Sequence, residues 1–396
     1  MKKFLVLGLI LAVAGGAFAQ VSFTGNIEGG YQIRIPDQDN TAPADEPNMA
    51  FYHTGDYTGA RVNLNASGSN ADGNAGYVFG FRFNGITSDG TVTPNVTNAY
   101  AWYDFMDGML RIVGAGRGGP GGFGLGGAYD ASFDVAAGNN HLSFILKPMD
   151  ELAIGFTVRA GIFENARYGL GLTYTIPEVA RIAGLFEYNN ERINLGAGVS
   201  ILALADAGFT KLGIDVQYLD VSQVQEYAGI GKIEISTLRI SQAATWVQDA
   251  LTVGVDFRQQ LLIGDDVDID KTYVLRFGGF VSYALENGMV PRLDFQLGLG
   301  AVPNNWWRKP GDFVRGDIGL YGITGNTTTG TTAAQEFVTA ANRINEDAIT
   351  LGINPNVTIP LGGASFELGA LLNFDLTDKA EPNAQQAIYF NYTLSF

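Results

Sequence analysis

The chain holds two histidines, His53 and His141, and no cysteine. Thiolate metal sites and thiol nucleophiles are therefore excluded. No H-E-x-x-H, G-x-S-x-G or Walker-type segment occurs. His141 with a nearby Asp is the one arrangement that offers hydrolysis. The stretch Gly116–Gly127, G-R-G-G-P-G-G-F-G-L-G-G, lacks the following Lys-Ser/Thr and the βαβ setting of a phosphate cradle. Charge placement says more. Arg34, Arg61, Arg82 and Arg111 recur at one phase of short alternating segments. Arg117 stands at the head of the glycine-rich stretch, and Asp130 and Asp134 follow it. Cations on one wall facing carboxylates on a loop set up a transverse field, which orients polar solutes and biases ion selectivity. The same arginines also have a plainer reading, as partners for carboxylates of the wall and loops.

Strands must position these groups. Tyr77, Phe79, Phe81 and Phe83 alternate with Val78, Gly80, Arg82 and Asn84. Leu152, Ile154, Phe156 and Val158 alternate with Ala153, Gly155, Thr157 and Arg159. Tyr168, Leu170, Leu172, Tyr174 and Ile176 alternate with small or polar residues. A period of two marks β-structure with one apolar and one polar face. The apolar face is bulky and aromatic, whereas the other carries Gly, Thr, Asn, Asp and Arg. If the apolar row meets lipid, arginine there would cost about 2–4 kcal/mol near the midplane, so the arginines point inward. Tyrosines near strand ends, such as Tyr168, Tyr174, Tyr188, Tyr218 and Tyr283, suit aromatic girdles. The phase predicts about eighteen strands, at 21–35, 58–67, 76–84, 98–105, 109–115, 141–147, 151–160, 167–176, 180–189, 192–202, 209–219, 228–238, 250–262, 271–284, 289–300, 347–359, 364–375 and 386–396. Residues 239–249 resist phasing, so sixteen strands is the alternative.

Connection lengths alternate. Long stretches fall at Pro36–Tyr57, Gly116–Asn140 and Ala301–Glu346, the last including a short helical pattern at 333–344. Between them lie tight turns such as Met106-Asp107-Gly108, Pro177-Glu178-Val179 and Pro360-Leu361-Gly362-Gly363. Long connections on one end and short ones on the other characterise outer-membrane barrels, not sandwiches. Composition agrees. Charged residues are 16%, aromatics 12% and glycines number 53, while mean hydropathy is only +0.08. Alternating strands give such neutrality without apolar helices. A formal charge of −16 argues against nucleic-acid partners. Lys2-Lys3, the apolar run Phe4–Val13 and Ala17-Phe18-Ala19 read as a Sec signal peptide over residues 1–19, leaving one barrel domain over 20–396.

The chain ends A-I-Y-F-N-Y-T-L-S-F. Phe390, Tyr392, Leu394 and Phe396 share a face, and the ending resembles the C-terminal recognition strand of bacterial outer-membrane barrels. With the signal peptide, the strand texture and the place of the third outer loop, the whole mature chain resembles the general bacterial porin family. That family's acidic-aromatic-Gly loop motif is not reproduced; Pro120-Gly121-Gly122-Phe123-Gly124 is its nearest counterpart. The resemblance implies a transmembrane antiparallel up-and-down β-barrel with the third loop folded inward. It implies a constriction built from Arg34, Arg61, Arg82, Arg111, Arg117, Asp130 and Asp134. It implies export to the outer membrane, insertion by the barrel assembly machinery, and passive diffusion of small hydrophilic solutes and ions, without cofactor or catalysis. It allows a homotrimer, although no interface is legible. The alternative functions are a surface adhesin or structural barrel, and an outer-membrane hydrolase centred on His141.

Overall fold

The computed structural model describes residues 20–36, 49–52, 60–86, 93–127, 135–159, 167–189, 192–220, 223–227, 231–233, 236–263, 273–301, 344–377 and 383–396. The strands in order are β1 (Gln20–Pro36), β2 (Met49–Tyr52), β3 (Ala60–Ser69), β4 (Ala75–Ile86), β5 (Thr93–Phe105), β6 (Leu110–Arg117) and β7 (Asn139–Met149). They continue with β8 (Leu152–Arg159), β9 (Arg167–Ile176), β10 (Ala180–Asn189), β11 (Arg192–Ile201), β12 (Phe209–Asp220), β13 (Gln223–Tyr227) and β14 (Gly231–Ile233). The last are β15 (Ser236–Gln248), β16 (Leu251–Ile263), β17 (Tyr273–Tyr283), β18 (Val290–Ala301), β19 (Ile344–Leu361), β20 (Ala364–Asp375) and β21 (Asn383–Ser395).

Eighteen of these form one closed antiparallel barrel in which chain neighbours pair. Closure joins β21 to β1, with Asn26 opposite Ser395 and Pro36 opposite Gln385. The final residue is part of the seam: Gly25 N–H donates to the Phe396 carbonyl at 2.9 Å, and Phe396 N–H donates back to Gly25 at 2.9 Å. Closure removes sheet edges, so every strand can satisfy its backbone within the sheet. β2 lies beside the far end of β1, and β13 and β14 make a separate hairpin. No described helix is long and apolar enough to cross a membrane.

The side-chain alternation sets the orientation. On β9, Leu170, Leu172, Tyr174 and Ile176 are exposed, while Gly169, Gly171 and Thr173 between them are buried. Leu142, Leu146, Phe156, Leu195, Val216, Phe277, Leu293, Leu368, Ile388 and Leu394 are likewise exposed. The large apolar residues thus point away from the axis and the polar row points toward it. Tyr168 and Tyr174 are exposed near the two ends of β9, and Tyr283 ends β17 on the outside.

The strand count agrees with the alternation, but one span does not. The twelfth barrel strand is Ser236–Gln248, not 228–238. Residues 231–233 belong to the hairpin instead. The reason lies in the outward row of β15, which reads Leu238, Ile240, Gln242, Ala244 and Trp246. A glutamine and an alanine break the bulky apolar rhythm, so the segment has no readable phase. Short connections at 70–74, 106–109, 150–151, 177–179, 202–208, 249–250, 284–289 and 362–363 gather at the end where Gln20 and Phe396 lie. The other end carries the longest stretches, between β1 and β3, β6 and β7, β12 and β15, and β18 and β19. Pro355 sits inside β19, where it cannot donate to the ladder. There the Asn354 side-chain amide donates to the Ala370 carbonyl of β20 at 2.8 Å.

Candidate functional site

The third long connection, between β6 and β7, lies against the inner wall. Of it, residues 118–127 and 135–138 are described. Phe123 sits over two wall glycines. A Cβ on Gly155 of β8 would lie 2.5 Å from the Phe123 ring, and one on Gly171 of β9 would lie 2.7 Å from it. Further along, a Cβ on Gly198 of β11 would collide with the Leu125 carbonyl, and one on Gly213 of β12 with the Gly126 carbonyl. Glycine at these inward positions makes a shallow track into which the loop backbone settles. Val113, Ile145, Ala183 and Leu185 from the wall, with Phe123, Leu125, Val135 and Ala136 from the loop, form one buried apolar cluster. Sequence reasoning had this inner face as polar throughout. On the sector under the loop it is apolar, because the loop and not solvent covers it.

Polar anchors hold the loop at both ends. The Arg181 guanidinium of β10 donates to the Gly124 carbonyl at 2.8 Å and to the Gly122 carbonyl at 3.0 Å. His141 bonds through Nε2 to the Gly118 carbonyl at 2.7 Å and through Nδ1 to Ser143 Oγ at 2.8 Å. Ser143 Oγ lies 2.8 Å from Thr157 Oγ1, which accepts from the Ala136 N–H at 2.8 Å. A carbonyl can only accept, so Nε2 carries a proton, and in the neutral imidazole Nδ1 accepts from Ser143. The hydroxyls then run in one direction from Ala136 to Gly118, and the chain staples both limbs of the loop. The limbs also bond directly, Gly121 N–H to the Ala136 carbonyl at 3.0 Å. His141 and Ser143 are buried, and the histidine considered for hydrolysis together with an Asp is here bonded to Ser143 and the loop carbonyl instead. Replacing Thr157 by Val keeps the shape but leaves Ala136 N–H without its acceptor and Ser143 with His141 alone. We expect about 1–3 kcal/mol less anchoring, seen as faster proteolytic cleavage of the loop in the folded protein.

The predicted arginines fall into two places. Arg61, Arg82 and Arg117 occupy one sector of the inner wall and connect through amides. Arg117 Nη1 donates to Asn95 at 2.7 Å, and Asn95 is the register partner of Arg82. Arg82 Nε donates to Asn63 at 2.9 Å, and Asn63 donates to Asn26 at 2.7 Å. Arg61 Nε donates to Asn84 at 3.1 Å, with Glu28 3.8 Å away. Arg34 donates to Gln32 at 3.2 Å on β1. Among the described residues, Arg82 and Arg117 take neutral amides as hydrogen-bond partners, so their positive charge is not cancelled there. Arg111 stands apart. It lies six residues before Arg117, roughly 20 Å along the strand, near the short-turn end. It is bound in a fork by Asp104, at 2.6 and 2.7 Å, beside the Trp102 ring. Asp130 and Asp134 lie outside the described residues, as do His53 and residues 302–343.

Elsewhere the inner wall carries further charge and many amides. Asp256 pairs with Arg258 at 3.3 Å, and Asp294 with Arg292 at 2.6 Å. Gln217, Arg239 and Gln260 sit side by side in register across β12, β15 and β16. Among the described residues no group of three or more metal-binding side chains converges.

Neither a family model nor a curated protein matches the chain in sequence. Solved structures do match in fold. The outer-membrane protein OprD of Pseudomonas aeruginosa superposes with a TM-score of 0.54 at 12% identity, over 96% of each chain. A second OprD structure gives 0.54 at 11% identity, over 96% of this chain and 94% of that one. A doubly substituted OccD1 (OprD) gives 0.53 at 9% identity, over 96% of each. At such identity the likeness is one of fold alone.

Proposed function

We propose that this chain is an outer-membrane channel that passes small hydrophilic solutes and ions by passive diffusion. The single observation behind this reading is a closed eighteen-stranded barrel, apolar outside, with its third loop laid along the inner wall. A barrel of this size leaves an aqueous lumen unless it is plugged, and a loop seated along part of the wall narrows the bore. Residues 1–19 act as the export signal. Phe390, Tyr392, Leu394 and Phe396 serve as the strand that the assembly machinery receives.

Arg61, Arg82 and Arg117 form the charged side of the path, Arg34 stands six residues beyond the register partner of Arg61 on β1, and Asp130 and Asp134 are the carboxylates this reading assigns as their counterpart. Arg111 is left to its fork with Asp104. The reading predicts steady conductance in a planar bilayer and a reversal potential favouring anions. Replacing Arg82 and Arg117 together by Gln should move that potential toward cations, and Arg111→Gln should move it much less. A silent bilayer would favour the adhesin alternative, and an unmoved potential in the double variant would remove the basic wall from the selectivity filter.

A further inference from the structure

The outward face of the barrel is apolar along nearly every described strand, with one interruption away from the strand ends. Gln242 is exposed on the outward row of β15, seventh of its thirteen residues, at mid-depth. Gln259 of β16 is outward too: Ile240 faces Gln259 and Gln242 faces Phe257 across the ladder. The two glutamines are therefore diagonal neighbours, about 7–8 Å apart. Neither amide has a hydrogen-bond partner among the described residues. At the foot of Gln242 lies a groove of about 370 Å³, lined on its outward side by Ile214, Ala244, Val255, Phe257 and Phe277.

Lipid tails offer such amides nothing. A primary amide in hydrocarbon without a partner is expensive, and a glutamine at mid-depth is too short to reach the headgroups. A protein surface can supply the partner. Small residues beside polar ones are what let membrane-embedded surfaces approach and hydrogen-bond, and Ala244 follows Gln242 on the same outward row. We propose that the face formed by β12, β15 and β16 is where two copies of this chain meet in the membrane. Both copies share one orientation in the bilayer, so a two-fold axis along the membrane normal keeps each residue at the depth of its counterpart, and residues beside the axis meet their own copies. A primary amide carries both donors and an acceptor. Gln242 therefore matches Gln242 of the second copy, and Gln259 matches Gln259. The groove takes apolar side chains of the other copy. This inference rests on the outward face meeting lipid, as proposed above, but not on the lumen being open.

The absence of cysteine makes the test direct. The full chain carrying Gln242→Cys is reconstituted in phospholipid vesicles and oxidised. We expect a disulfide-linked dimer on a non-reducing gel, severalfold above the level given by Leu293→Cys, an exposed position on another strand. The double variant Gln242→Leu, Gln259→Leu should insert normally and lose the dimer in mass measurements, since the amides and not the apolar surface specify the contact. Insertion without crosslinking above the control, or a dimer untouched by the double variant, overturns the interface. Failure to insert at all overturns the membrane reading and the interface with it, and the two results are told apart by flotation of the vesicles. Crosslinking to another protein in whole cells, with no dimer in pure vesicles, assigns the face to a different partner and also overturns the proposal.

Discussion

Phe123→Ala should unseat the third loop. Its ring fills the wall track, buried over Gly155 and Gly171 and beside Val135. Truncating a buried phenylalanine costs about 3–5 kcal/mol, because the surrounding wall cannot collapse into the space. Here the cost falls on one local equilibrium, loop seated against loop lifted, and not on the barrel, whose ladder is untouched. Since each 1.4 kcal/mol is a factor of ten, the seated fraction should fall by roughly two to three orders of magnitude relative to the lifted one. The polar anchors at Arg181 and His141 oppose full release, so the loop should fluctuate instead of leaving. We expect larger mean conductance with pronounced current noise, and rapid cleavage within the glycine-rich stretch by added protease. Phe123→Leu, which retains most of the apolar contact, should stay near the wild type. A variant with an unchanged current trace would mean that the seated loop does not define the bore.

The architecture was legible because lipid imposes a strict rule on strands. Every outward position must be apolar, so Leu170, Leu172, Tyr174 and Ile176 announce their face without tertiary context. The rule fails where function or assembly intervenes. β15 could not be phased because Gln242 sits in the outward row, and the break that hid the strand is also what marks the face. The inner wall obeys no such rule. Gly155, Gly171, Gly198 and Gly213 read from sequence as a generic polar row, and only register across β8, β9, β11 and β12 reveals that they form one track. That the third loop turns inward was available by family resemblance, but its anchors were not. Phase alone puts Arg181 on the inward row of β10, beside outward Ile182, but does not give its reach to the loop carbonyls, and His141 invites attention for its chemistry instead of its reach to Gly118. Arg111 shows the remaining limit. Phase places a side chain on a face, whereas depth along the strand decides which inward arginines can act together, and depth depends on tilt and shear.

Leu172→Arg should weaken the folded barrel more than any inward charge change. Leu172 lies outward near the middle of β9, between inward Gly171 and Thr173. Ten residues tilted at about 45° cover an apolar band roughly 25 Å tall, so this position falls close to the bilayer midplane. Arginine there must either strip its guanidinium of water or drag water inward, at about 2–4 kcal/mol. Ile176→Arg, on the same face but at the short-turn end of β9, meets the interface and should cost about 0–1 kcal/mol. The ratio between these two values carries the test, because both remove a comparable apolar side chain from the same row. A strand facing water would show no dependence on depth, and each change would stay within about 0.5 kcal/mol. Urea titration of the two variants refolded into lipid vesicles measures both. Equal losses would show that what covers Leu172 is not a bilayer, and the outward apolar row would then need a protein partner along its whole height.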